Sequence, residues 1–224
     1  KQHVVDGVDM QRMLGESALQ RGRLRRAAAY FQKALQFEST DHESLFGLAK
    51  ALRRRGELTS AEDALDRLQR VAPDFPGRRL ERGLIHEMRG DYEAAARLYG
   101  EALESRPDDA DLLLRMGAAQ VTLGKLEAAE ELLRKVIDER SGSAEAEYFM
   151  GRLRFARQQT SGAINHFQRA VQLDPTRAEY HMYLAWAALE VNDLGSALQS
   201  IDRALTRDEN LADGHWVRGR ILLR

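Results

Sequence analysis

The chain of 224 residues carries 34 Lys and Arg against 35 Asp and Glu, a net charge of −1 that argues against a general binder of nucleic acid or anionic membrane. Its composition, 43% hydrophobic and 31% charged, is that of a soluble protein able to bury a continuous core, and no apolar run approaches the roughly 18 residues that a bilayer span needs. Cysteine is absent, which excludes disulfides and thiolate ligands.

Residues 1–7 stand outside the register of the rest and read as the tail of an earlier helix or an appended remnant. From Val8 onward the chain is periodic. Ala27, Ala61, Ala95, Ala129, Ala163 and Ala197 recur at intervals of 34 residues. Four residues after each stands a large side chain: Phe31, Leu65, Tyr99, Leu133, Phe167 and Ile201. Seven after it comes a usually small one: Ala34, Leu68, Ala102, Val136, Ala170 and Ala204. This order at this period resembles the tetratricopeptide repeat, a helix-turn-helix unit that stacks on its neighbours. The resemblance implies an all-α, right-handed α-solenoid.

In chain order the repeats fall at 8–41, 42–75, 76–109, 110–143, 144–177 and 178–211, and a seventh first helix follows at 212–224. Where the family carries Leu-Gly in its first helix, the matching pairs are Leu14-Gly15, Leu48-Ala49, Arg82-Gly83, Met116-Gly117, Met150-Gly151, Leu184-Ala185 and Arg218-Gly219. A small residue there lets two helix axes approach closely, and a bulky replacement overpacks the contact at a cost of about 1–3 kcal/mol. The turns carry Gly22, Gly56, Gly90 and Gly124, where left-handed backbone is cheapest for glycine. Asn192 and Gln158 replace glycine later, and Gln158 is the poorer fit. Second helices are expected to stop near Pro73, Pro107 and Pro175, whereas Ser39, Ser141 and Glu209 depart from that pattern. The family's first-helix Trp and Tyr are mostly missing. The seventh helix lacks a downstream partner, so it either caps the array or is followed by further repeats in the natural protein; continuation is the favoured expectation.

No catalytic or metal-binding constellation emerges, and no cofactor is expected. His86, His181 and His215 fall at inward or packing positions of first helices, and His42-Glu43 and His86-Glu87 lack the second histidine of a zinc helix. The paired carboxylates Glu130-Glu131 and Asp108-Asp109 are expected at solvated helix or loop positions. Asp9, Glu43, Asp111, Glu145, Glu179 and Asp213 each open a predicted first helix, where negative charge favours the helix dipole.

Binding is the expected activity. Positions that resemble the family's concave groove lining hold Leu80, Leu84, Leu114, Arg115, Tyr148, Phe149, Arg152, Phe155, Met182, Tyr183, Trp186, Trp216 and Arg220. Aromatic and Arg side chains anchor interfaces because they bury much area at small entropic loss, and Tyr183, Trp186 and Arg152 are the strongest candidates here. The basic set used by co-chaperones that hold the acidic C-terminus of heat-shock chaperones is not matched, since Glu16, Gly47, Gly77 and Glu81 stand where it needs other residues. Around the early turns Arg21, Arg23, Arg25, Arg26, Arg53, Arg54, Arg55 and Arg89 gather, which predicts an edge for an acidic protein partner. Stacking aromatics do not interleave with them, so nucleic acid is not the expected ligand.

The resemblance therefore implies a non-catalytic scaffold that receives a segment or surface of another protein. It admits docking of a folded regulator such as a small GTPase, or of a motility, pilus, secretion or polarity component. The substrate-recruiting arm of a larger enzyme, such as a glycosyltransferase, is the alternative, and self-association through the C-terminal helix is a third expectation. Insertion into a membrane is not expected. The excess of Arg over Lys points to a GC-rich, bacterial genome. With no signal peptide inside the fragment, a cytoplasmic location is expected and a periplasmic one stays open.

Overall fold

A computed structural model describes residues 2–140 and 142–224, with side chains from residue 7 onward; Ser141, one of the departures noted above, lies outside the described residues. Among the described residues there are thirteen helices and no strand. The chain divides into two compact units, Lys1–Ser105 and Arg106–Arg224.

The first unit holds α1 (Gln2–Gln20), α2 (Leu24–Phe37), α3 (His42–Arg54), α4 (Leu58–Val71), α5 (Arg78–Met88) and α6 (Tyr92–Ser105). They pair as the hairpins α1/α2, α3/α4 and α5/α6, and α2 also packs on α3 and α4 on α5. The second unit holds α7 (Ala110–Thr122), α8 (Leu126–Glu139), α9 (Ala144–Ala156), α10 (Thr160–Leu173), α11 (Ala178–Glu190), α12 (Leu194–Arg207) and α13 (Ala212–Leu222). Here α7/α8, α9/α10 and α11/α12 are the hairpins, and α13 packs on α11 and α12. Helix α1 starts upstream of Val8, so the backbone of residues 2–7 continues the first helix rather than standing apart from it.

The periodic residues make the core. All six marker alanines are fully buried, and so are Phe31, Leu65, Tyr99, Leu133, Phe167 and Ile201 one turn on. At four of the hairpins, Phe31, Tyr99, Leu133 and Phe167 enter the space left by Gly15, Gly83, Gly117 and Gly151 of the facing first helix. A Cβ added at Gly15 would lie 2.8 Å from the Phe31 ring, one at Gly117 2.9 Å from Leu133, and one at Gly151 2.6 Å from the Phe167 ring. The ring or isobutyl group thus occupies the volume that a methyl would claim, which fixes how closely the two helices of a hairpin approach.

The turns close in one way throughout. Gly56 adopts φ +80°, its N–H bonds Arg53 O at 2.9 Å, and the Glu57 N–H bonds Leu52 O at 3.0 Å, the paired reverse bonds of a left-handed helix stop. Gln158 and Asn192 take the same conformation at φ 60°. Around Gln158 the bonds recur at 2.9 Å, from Gln158 to Phe155 O and from Gln159 to Arg154 O. The hairpin therefore imposes the geometry on a residue that would not choose it.

Candidate functional site

The side chains that resemble a groove lining were expected along the first helices, and in the second unit α9, α11 and α13 bring many of them together. Phe155 lies edge-on to Trp186 with ring centroids 5.4 Å apart, and Trp186 lies edge-on to Trp216 at 5.6 Å. Tyr183 joins the row 5.9 Å from Trp186. Phe149, Phe155, Tyr183 and Trp186 are half-buried, and Trp216 is 52% exposed. Helical spacing explains the row, because Tyr183 and Trp186 are one turn apart on α11 while Phe155 and Trp216 occupy nearby positions on the helices either side.

Charge is woven into this row. The Arg152 guanidinium carbon sits 5.8, 5.6 and 5.4 Å from the ring centroids of Tyr148, Phe149 and Tyr183. Arg220 stands over Trp216 at 5.0 Å and pairs with Glu190 at 3.5 Å, and Glu190 also accepts from Trp186 Nε1 at 3.3 Å. Arg115 pairs with Glu145 at 3.0 Å. Such contacts hold planar side chains at fixed angles with little entropy left to lose.

Three of the expected groove residues are core. Leu114 is 8%, Tyr148 2% and Met182 3% exposed, so they have almost no surface to offer a partner. Tyr148 stacks on Tyr180 at 4.8 Å and its hydroxyl donates to Glu179, and burial pushes that phenol well above its ordinary pKa. Burial likewise pushes Tyr180 up to about 12. Their role is to brace the rings beside them. Leu80 and Leu84, on α5 in the first unit, are half-buried.

The arginine edge splits. Arg53 is held by the buried Glu81 at 2.5 Å, Arg54 donates to Leu19 O at 3.1 Å, and Arg89 pairs with Glu62 at 2.5 Å. Arg55 pairs with Glu57 at 2.6 Å. These four already have a partner within the fold, though Arg54, Arg55 and Arg89 stay exposed. Arg21, Arg23, Arg25 and Arg26 remain exposed around the α1–α2 turn and make no ion pair among the described residues.

Other expectations need correction. His181 is buried as expected, but His215 is exposed, with Nε2 bonded to Glu209 O at 2.7 Å, and the half-buried His86 contacts Asp91 and Glu62. Asp9 lies within α1 rather than at its start and pairs with Arg12 at 2.5 Å. Glu130 is not solvated: Arg134 and Arg154, each at 2.8 Å, and Arg157 converge on it. The Arg157 hydrogen bond, ahead of the other charges, holds its carboxyl below the usual range. Asp109 is half-buried and caps α7, accepting from Asp111 N at 3.1 Å and Leu112 N at 3.2 Å.

Several of these links join one repeat to the next and were not anticipated: Arg53–Glu81, Arg115–Glu145 and Tyr148–Glu179 span 28, 30 and 31 residues. A basic or phenolic side chain in one first helix, followed about one repeat later by an acid, is the signal that finds them. Among the described residues no group of three or more His, Asp or Glu side chains converges to hold a metal ion. No described helix is long and apolar enough to cross a membrane.

Comparison with known proteins agrees with the repeat. No curated protein matches the chain in sequence. In fold it is similar to a chain of the Cut9–Hcn1 hetero-tetramer of APC/C, with TM-score 0.87 and 17% identity over 96% of this chain and 43% of that one, so it spans less than half of that relative. It is also similar to PilW, a type IV pilus biogenesis factor, with TM-score 0.80 and 14% identity over 94% of this chain and 97% of that one. A third likeness is to YrrB, a repeat protein with an unusual peptide-binding site, with TM-score 0.60 and 19% identity over 86% of this chain and all of that one. At these identities the likeness establishes the fold alone. Residues 18–80, 88–153 and 148–224 match sequence families described as tetratricopeptide repeat, and the chain accordingly belongs to the tetratricopeptide repeat family, an all-α repeat solenoid.

Proposed function

We propose that the chain is a non-catalytic interaction scaffold whose second unit holds a segment of another protein against the aromatic face of α9, α11 and α13. The observation that carries this reading is the row Phe155, Trp186 and Trp216, three large rings in edge contact with Trp216 half open to solvent. A chain that needed these rings only for its core would bury them, as it buries Tyr99 and Phe167. The peptide-binding and hetero-tetrameric relatives support the same class of activity. The setting we favour is a bacterial motility, pilus, secretion or polarity complex. Recruitment of substrate to a larger enzyme is the alternative, and a catalytic domain in the same polypeptide is the observation that would favour it.

Affinity capture with the intact chain, compared with Tyr183→Ala/Trp186→Ala and with the milder Trp216→Ala, tests the site. The expected result is a partner retained by the wild type, reduced by Trp216→Ala and lost with the double variant, while circular dichroism confirms that all three are folded. Equal recovery by folded variants would remove the face from consideration. A second surface is favoured by a separate observation, the four exposed arginines of the α1–α2 turn, which make no ion pair among the described residues and fit an acidic segment of a partner.

A further inference from the structure

Arg152 differs from the other arginines of the aromatic face. Arg115 is neutralised by Glu145 at 3.0 Å and Arg220 by Glu190 at 3.5 Å. Arg152 is half-buried and has no carboxylate partner among the described residues; its guanidinium is surrounded by the rings of Tyr148, Phe149 and Tyr183. Glu179, on the next first helix, is engaged by the Tyr148 hydroxyl. Ring faces attract a cation but accept no strong hydrogen bonds in the plane of the guanidinium, where its five N–H groups point. The rings therefore hold the Arg152 guanidinium in place, and no carboxylate among the described residues of the second unit pairs with it.

Resting on the proposed aromatic-face site, we infer that the partner segment carries an Asp or Glu side chain that pairs with Arg152, with a bulky apolar residue beside it on Trp186 and Trp216. A carboxylate matches the planar fork of a guanidinium in two parallel bonds, a contact the rings themselves cannot supply. A side chain fits better than a chain terminus. A terminus read as such needs further donors around it, and the neighbouring cations Arg115 and Arg220 already have partners. The salt bridge fixes the register of the segment, and the rings supply most of the buried area.

Random dodecapeptides displayed with both ends covered are selected against the full chain, and winners are synthesised and titrated by the fluorescence of Trp186 and Trp216. Selected peptides are expected to share an acid at one position next to an aromatic or large aliphatic residue. Replacing that Glu by Gln weakens binding about tenfold on the wild type and leaves binding to Arg152→Gln unchanged. Because the swap is made on the peptide, the wild-type arm holds even if the variant folds poorly. Peptides that require Trp186 but show no acidic position, or that lose as much affinity on Arg152→Gln, overturn the pairing and leave the aromatic site standing. Binders obtained only from a second library with free C-termini assign a terminal carboxylate and overturn the side-chain form. Failure to select any peptide sensitive to Trp186→Ala overturns both the pairing and the site it rests on.

Discussion

A methyl group at position 151 has nowhere to go. Its carbon would lie 2.6 Å from the Phe167 ring, and that ring is fully buried between helices. Gly151→Ala is therefore expected to cost about 1–3 kcal/mol in urea denaturation. Gly219 occupies the matching position of α13 with nothing within 4 Å of an added carbon. There alanine gains helix propensity, so Gly219→Ala is expected to be neutral or to stabilise by up to about 1 kcal/mol; equal losses at both sites would show that close approach is not what glycine provides. His181 makes the second residue-scale case. It is 2% exposed, Nε2 donates to Pro175 O at 3.1 Å, and Nδ1 is buried without a hydrogen-bond partner. Burial, assisted by Arg207 and Arg203 and opposed by the Pro175 bond, pushes its pKa below the ordinary value. The folded state thus binds this proton less readily than the unfolded chain. The neutral ring's contribution is complete above about pH 6.5 and is lost as pH falls from there through the depressed value. His181→Gln retains an N–H for Pro175, and its melting temperature should fall less between pH 7 and 5 than that of the wild type. Parallel slopes for the two proteins would refute this. Glu130 acts lower on the scale, since its carboxyl is held below the usual range and its stabilisation fades only at more acidic pH.

At the scale of the helix pair, the turn decides how costly a sequence substitution is. Gln158 and Asn192 both sit at φ 60°, where a side chain costs about 1–2 kcal/mol relative to glycine and Asn suffers least. Gln158→Gly is expected to raise the urea midpoint by the equivalent of about 1 kcal/mol, and Asn192→Gly by less; a loss on Gln158→Gly would mean that its side chain, not its backbone, matters. The same scale explains what the sequence made legible. Alanine at a 34-residue interval, a large residue four later and glycine at the turn are all set by backbone approach and φ, which tolerate few residue types, so hairpins and core follow from them. Leu114, Tyr148 and Met182 were harder to place, because one stripe of a first helix serves both the face and the packing of the neighbouring helix. Arg53, Arg54 and Arg89 are harder to read for a related reason. A cation near a turn looks free until the acid or carbonyl about one repeat away is known, and Glu81, Leu19 O and Glu62 are contributed by different helices. Arg152 was visible as a candidate, yet its ring box depends on rotamers that spacing does not reveal.

Across the whole molecule, a net charge of −1 is a cancellation of 34 positive by 35 negative side chains and says nothing about their distribution. Many of the charges are used in pairs between helices. Arg21, Arg23, Arg25 and Arg26 are a clustered group in the first unit, exposed and without an ion pair among the described residues. Four like charges within a few residues repel one another, and no helix terminus there needs so many, so an anion drawn to the turn relieves a cost already present in the fold. Such attraction acts at a distance and through the encounter rate, whereas ring contacts act at short range and through dissociation. The two surfaces should therefore separate experimentally. A poly-glutamate peptide is expected to bind the wild type at low salt, to weaken steeply as salt rises, and to be lost on reversing Arg23, Arg25 and Arg26 to Glu, while Trp216→Ala leaves it unchanged. Binding that survives the charge reversal, or that depends on Trp216, would mean that the α1–α2 turn is only a solvated corner and that the aromatic face alone receives partners.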